Sequence, residues 1–208
     1  MTQIKQFFHD ANGVFAHFFD AYTKHFFELT SAVDINAVEK FANMLLEARE
    51  RDATIFIIGN GGSAATASHF AEDLALGAGA GMDKPFRALS LCDSVSYISA
   101  IGNDESYEKV FAGQLRNLFR PGDILVAISA SGNSQNLIHA IDYVNSKGGE
   151  TIGILGFDGG EAKNKCRHNI VVATPKGHYG PVESLHLFLI HIVSNYLFFR
   201  LNKENQKS

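Results

Sequence analysis

The sequence predicts an α/β fold, a doubly wound parallel sheet of five strands with helices on both faces, and three observations predict it. Short apolar runs rich in β-branched residues recur along the chain, separated by stretches with helical spacing. Two polar loops, at 59–63 and 129–134, directly follow such runs, which places both on the carboxyl rim of the sheet, where ligands of these folds bind. Two amphipathic helical stretches precede the first strand and form a hairpin outside the alternating pattern.

In chain order, apolar residues at Ile4, Phe7, Phe8, Phe15, Phe18, Phe19, Tyr22, Phe26 and Phe27 step by threes and fours, so 4–29 is an aromatic-striped helix that Gly13 weakens or bends. Asp34 caps a second helix with Ile35, Val38, Phe41, Ala42, Leu45 and Leu46 on its inner face. Such stripes either pack on one another or meet a second subunit, and the second is preferred. The run 53–58 is a buried strand, and Gly59-Asn60-Gly61-Gly62-Ser63 turns it into the helix 64–74. A Gly-rich break at 77–81 reads as a mobile loop. Strand 86–91 follows, then helices at 94–101 and 107–119 around a turn at Gly102-Asn103-Asp104. Pro121-Gly122-Asp123 turns into strand 124–128, Ser129-Ala130-Ser131-Gly132-Asn133-Ser134 into helix 137–146. Strands at 151–155 and 169–173 complete the sheet, and a long helix at 181–201 precedes a polar, fraying tail at 202–208. The chain is thus one domain over 1–208, with helices for oligomerisation at 1–50 and an α/β core at 53–201.

With 208 residues, 46% hydrophobic and 19% charged, the chain can bury a sizeable core. A net charge of −4 gives no basic field for nucleic acid and no polybasic patch for a membrane surface. Cys92 and Cys166 form no close metal or redox motif, the first residues lack the apolar core of a signal peptide, and no uninterrupted apolar run approaches the roughly 20 residues that span a bilayer. The expected setting is the cytoplasm.

The turn 59–63 leaves backbone N–H groups at a helix start, an anion site in kind. It lacks the Lys of a Walker loop and the glycine spacing of a dinucleotide loop. The chemistry-bearing side chains lie on the helices. His69 and Asp73 are four residues apart and share a helix face. Glu183 and His191 are eight apart on the last helix and point the same way. Two His and two carboxylates make a tetrahedral zinc set. His186 points elsewhere on its helix, His178 sits in the loop before it with packing preferred over substrate contact, and His9, His17 and His25 read as packing residues.

Gly59-Asn60-Gly61-Gly62-Ser63 with His69-Phe70-Ala71-Glu72-Asp73, then 129–134, then Phe157-Asp158-Gly159-Gly160, resemble in order and spacing the sugar isomerase (SIS) domain, within it the phosphoheptose isomerase branch. The resemblance covers nearly the whole chain. It implies a flavodoxin-like sheet, a homotetramer with active sites at subunit interfaces, a phosphosugar substrate and one zinc per subunit. The implied reaction converts sedoheptulose 7-phosphate to glycero-manno-heptose 7-phosphate, an early step towards surface-polysaccharide heptose. By the same resemblance Ser129, Ser131 and Ser134 bind phosphate, and Asn60 to Ser63, with Gly61 and Gly62 between them, contact the substrate together with Asp104 and Glu183. His69, Asp73, Glu183 and His191 hold the metal; Asp73 is the base and His191 the acid. The sequence departs from the family in having Asp73 for Glu, Glu183 for Gln, and Ala130 between the serines. Some SIS domains only sense phosphosugars or act as tetrameric scaffolds, and the two carboxylate departures fit that alternative; retention of both histidines argues for the enzyme.

Overall fold

The computed structural model describes residues 3–79 and 83–205. Strands β1 (Thr54–Gly59), β2 (Arg87–Ser90), β3 (Ile124–Ser129), β4 (Glu150–Gly156) and β5 (His168–Val172) form one sheet in the order β2-β1-β3-β4-β5, every neighbouring pair parallel. Register pairs Ile57 with Val126, and Ala127 with Gly153. Alternate side chains leave on opposite faces. Ile55, Ile57, Ile124, Val126, Ile128, Ile152 and Ile154 join one core cluster, while Phe56, Ile58, Leu125, Ala127 and Leu155 join the other. Both faces of the sheet are therefore covered, as the β-branched runs require.

The first face carries α3 (Ile35–Glu50), α4 (Gly62–Glu72) and α9 (Tyr179–Asn205), through Phe41, Leu45, Phe70, Leu185, Ile190 and Val193. The second carries α6 (Val110–Leu118) and α7 (Gln135–Ser146), through Phe111, Leu115, Ile138, Ile141 and Val144. Asp34 caps α3 by accepting from the N–H groups of Asn36 and Ala37. In the 121–123 turn, Asp123 accepts from Thr54 N and Arg120 N, both at 2.7 Å, and so ties the turn to the start of β1.

Four sequence expectations need correction. The N-terminal helix is two, α1 (Gln3–Asp10) and α2 (Phe15–Ser31), because Asn12 and Gly13 both take left-handed φ. Residues 77 and 78 are not loop. The polypeptide continues past α4 as a π-helix, Asp73–Ala78, in which Ala78 is buried and Gly79 N bonds to Leu74 O. This wider turn lies against α9, and residues 80–81 of the expected loop lie outside the described residues. The turn expected at 102–104 is helical: α5 (Val95–Asp104) runs through it and breaks at Glu105. A short α8 (Gly160–Lys165) fills the stretch between β4 and β5. The helical part of the expected tail extends to residue 205, and 206–208 lie outside the described residues.

Between Tyr179 and Lys203, α9 is long and apolar enough to cross a bilayer. One side of it packs in the core, where Val182, Leu185, Leu189, Ile190, Val193, Leu197 and Leu201 are all buried, while Ile192, Tyr196 and Phe199 are exposed. The hairpin α1–α2 packs partly on itself, with Phe8 edge-on to Phe18, and partly on the body, with Phe26 edge-on to Phe188. It leaves Phe8, Phe15, Phe19 and Phe27 more than half exposed.

Candidate active site

The strand order reverses between β1 and β3, so the loops leaving these two strands flank the crevice where such sheets bind ligands. Gly59 is required at the first turn, because a side chain there would overlap the Ser63 carbonyl. Gly61 caps α4 with φ of 53°. Ser63 is buried in the first turn of the helix. The Glu183 carboxylate reaches across from α9 and lies against Gly62, in the first turn of α4. A carboxylate at a helix N-terminus is favourably placed in the dipole field.

The second loop is pinned from behind. Gly132, with φ of 64°, passes so close to Gly159 that any side chain would strike the Gly159 carbonyl. Gly132 O accepts from Ala162 N at 2.9 Å, and Asn133 Oδ1 from Glu161 N at 3.0 Å. Ser129 Oγ accepts from Gly132 N and Ser131 Oγ from Asn133 N. Ser134 is the N-cap of α7 and makes no side-chain cap bond, leaving its hydroxyl and the first amides of a twelve-residue helix for an anion.

Asn60 spans the crevice. Its amide pairs reciprocally with that of Asn136, in two bonds of 2.9 Å, and accepts from Tyr107 Oη at 3.0 Å. Neither partner was foreseen from the sequence; a polar side chain in the first turn of α7 was the only available signal for Asn136. Asp104 ends α5 with its carboxylate bonded to the Asn103 side chain.

Parallel helices α4 and α9 carry the titratable cluster. His69 Nε2 lies 3.4 Å from His191 Nε2 and 3.6 Å from Asp73 Oδ1, and His191 Nε2 lies 3.9 Å from Asp73 Oδ2. All three side chains are half-buried. Two Nε2 atoms this close are within reach of a single cation. Donors around a tetrahedral ion with bonds of about 2.1 Å stand about 3.4 Å apart, so the three residues fit a metal with one position open. Ser194, unforeseen although it follows His191 by three and shares its face, donates to Asp73 Oδ2 at 3.1 Å and steadies the carboxylate. Asp73 itself stands where the α-helix widens into the π-turn, a distortion often found at functional sites.

Within one chain Glu183 does not complete the expected four-residue set. Eight residues keep it on the same face as His191 but separate the two by about 12 Å along the axis, at 1.5 Å per residue. Among the other histidines, His178, His186 and His25 are buried, whereas His9 and His17, expected to pack, are exposed. His178 is 1% exposed and accepts from Gln3 N at 3.2 Å, and His186 is fully buried, which pushes its pKa down to about 4. His25 packs against Phe7.

Comparison with known proteins decides the family: residues 17–156 match the family model of the SIS domain. This chain belongs to the SIS domain family. It is 39% identical over 156 residues to the phosphoheptose isomerase of Alteromonas mediterranea, covering 74% of this chain and 78% of that one. The phosphoheptose isomerase of a Nitratiruptor species is 38% identical over 148 residues, 71% and 78% of the two chains. Among solved structures, phosphoheptose isomerase from Neisseria gonorrhoeae superimposes with a TM-score of 0.76 at 30% identity, covering 86% of this chain and 95% of that one. A phosphoheptose isomerase from Francisella tularensis shares the fold, with a TM-score of 0.77 at 23% identity over 95% and 98% of the chains. These relatives place the chain in the phosphoheptose isomerase branch of the SIS domain family.

Proposed function

We propose that this chain is a phosphoheptose isomerase that converts sedoheptulose 7-phosphate to D-glycero-D-manno-heptose 7-phosphate through an enediol. The observation that carries the reading is the convergence of His69, Asp73 and His191 between α4 and α9, one helix of which springs from the switch-point crevice.

Ketose–aldose exchange moves a proton between neighbouring carbons and needs a base at carbon and an acid at the oxygens. Asp73 is assigned as the base. Its carboxylate accepts from Ser194 and takes the proton from C1 of the ketose, and a proton exchanged with solvent on that carboxylate returns to C2. His191 is assigned as the acid that serves the carbonyl and hydroxyl oxygens as the enediol forms and collapses. Ser129, Ser131, Ser134 and the start of α7 take the phosphate, and Asn60 to Ser63 face the sugar. Asp104 and Glu183 are kept as sugar contacts.

The metal reading is zinc, one per subunit, held by His69, Asp73 and His191, with Glu183 of the sequence-derived set standing apart at Gly62. When bound, the ion polarises an oxygen of the substrate as a Lewis acid. The proposed assembly is a cytoplasmic homotetramer with sites at subunit interfaces, a reading supported by the exposed phenylalanines of α1 and α2. The product's proposed destination is surface-polysaccharide heptose.

The enediol route is tested by running the conversion in deuterium oxide and reading the aldose by NMR. Solvent deuterium at C2 is the expected result. A product formed entirely without it would rule against Asp73 as an exchanging base.

A further inference from the structure

The hydrogen bonds around Asn60 form a chain in which each orientation dictates the next. Leu137 N donates to Asn136 Oδ1 at 3.0 Å. Leu137 N also donates to Ser134 O at 3.0 Å, and an amide nitrogen in place of the Asn136 oxygen would set donor against donor, so Asn136 presents its oxygen there and its amide takes one orientation. That oxygen also accepts from Asn60 Nδ2, while Asn136 Nδ2 donates back to Asn60 Oδ1. The orientation of Asn60 follows from that of Asn136. Because Asn60 shows its oxygen towards Tyr107, the phenol must be the donor in the 3.0 Å contact. Each amide oxygen now accepts two bonds, its full complement, and each amide nitrogen has donated one of its two N–H groups among the described residues. Asn60 is left with an N–H and no lone pair to offer.

The arrangement joins three segments of the rim. Asn60 belongs to the loop after β1 and Asn136 to the first turn of α7, where it is 3% exposed. Tyr107 opens the 3-10 turn Tyr107–Lys109, which is held to α7 by the His139 ring 3.1 Å from the Glu108 carbonyl. The sugar side of the crevice is thereby oriented by a residue at the start of the phosphate helix.

We infer that Asn136 and Tyr107 are positioning residues that lock the Asn60 amide as a hydrogen-bond donor, so that Asn60 selects an acceptor oxygen of the sugar phosphate. This rests on the isomerase reading for its ligand, and on the geometry alone for the lock. The test compares wild type with Tyr107→Phe and Asn136→Asp in three measurements: kcat and KM for sedoheptulose 7-phosphate, inhibition by inorganic phosphate, and the side-chain amide signals of 15N-asparagine-labelled protein. Tyr107 is exposed, so Tyr107→Phe folds. It is expected to raise KM for the sugar phosphate about five- to tenfold, the worth of one neutral hydrogen bond, and to leave phosphate inhibition unchanged. Asn136→Asp sets a carboxylate oxygen against Asn60 Oδ1 and is expected to lower kcat/KM on the order of fiftyfold, the effect of an unsatisfied buried polar group. A wild-type KM in Tyr107→Phe, or phosphate inhibition weakened in parallel with it, overturns the inference. If the wild type fails to turn over the ketose at all, the isomerase reading falls, yet the amide signals still decide the lock. The Asn60 side-chain signals are expected to move in Tyr107→Phe, and unmoved signals overturn it.

Discussion

Replacing Asp73 by Glu lengthens the carboxylate arm by one methylene and separates two views of the site. Asp73 already stands close to the distance a shared tetrahedral ligand needs. The two imidazole nitrogens are 3.4 Å apart, and the carboxylate lies 3.6 Å from one and 3.9 Å from the other. Against an ideal separation of about 3.4 Å, its excess is only about 0.2 and 0.5 Å. Small side-chain rotations absorb that. An added methylene extends the carboxylate by about 1.5 Å, three times the larger gap or more. Glu at 73 must then fold back towards Ser194 or overshoot the two rings. Misplacement of about 1 Å costs on the order of a hundredfold, so Asp73→Glu is expected to lower kcat/KM by roughly ten- to a hundredfold. Asp73→Asn, which removes the base, is expected to lose about 10²- to 10⁴-fold. Initial rates of aldose formation from sedoheptulose 7-phosphate read both. A Glu variant as active as wild type would show that the separations seen here are not the working ones.

Three further outcomes are expected. His191→Gln should lower kcat by about 10²- to 10⁴-fold with KM within a few-fold of wild type, and unchanged circular dichroism distinguishes lost chemistry from lost fold. Asp123→Ala strips the acceptor from two buried-side N–H groups, Thr54 and Arg120, and should cost about 3 kcal/mol, or roughly 10 °C in melting temperature; a shift of a degree or less would refute the role given to this turn. Burial holds His186 at about 4, below its ordinary 6.5, so its contribution to stability is fully present above pH 6.5 and is lost as pH falls towards 4, where only the unfolded chain binds the proton. The loss is about 3 kcal/mol, and urea unfolding at pH 7 and 4.5 should show it in wild type and not in His186→Leu.

The sheet was legible because its signal is local. Runs such as Ile55 to Ile58 are buried on both faces, so β-branched composition and length alone mark them. The cap at Asp34 and the order of loops on the rim followed from the same local rules. Continuity between helices was harder. Gly77 reads as a breaker, yet it lies inside a π-turn whose stability comes from packing on α9, a partner more than a hundred residues away. Likewise Gly102 stays within α5, whereas Asn12 and Gly13 take left-handed φ and break their helix. The site divides along the same line. His69 and Asp73 pair within one helix, and helical spacing gives that directly. Glu183 and His191 share a face, but spacing fixes direction rather than axial distance, so the sequence could not tell that Glu183 faces Gly62. Ser194, Asn136 and Tyr107 owe their roles to contacts between elements, and only the folded chain brings those together.

The central claim is that this SIS domain turns over a seven-carbon ketose phosphate at the His69, Asp73 and His191 cluster. Its most direct test is the purified chain incubated with sedoheptulose 7-phosphate after zinc loading, after chelation, and as Asp73→Asn. The account predicts aldose heptose 7-phosphate from the zinc-loaded wild type, a reduced rate after chelation, and next to none from Asp73→Asn. No aldose from the zinc-loaded wild type, or equal rates from wild type and Asp73→Asn, would contradict it.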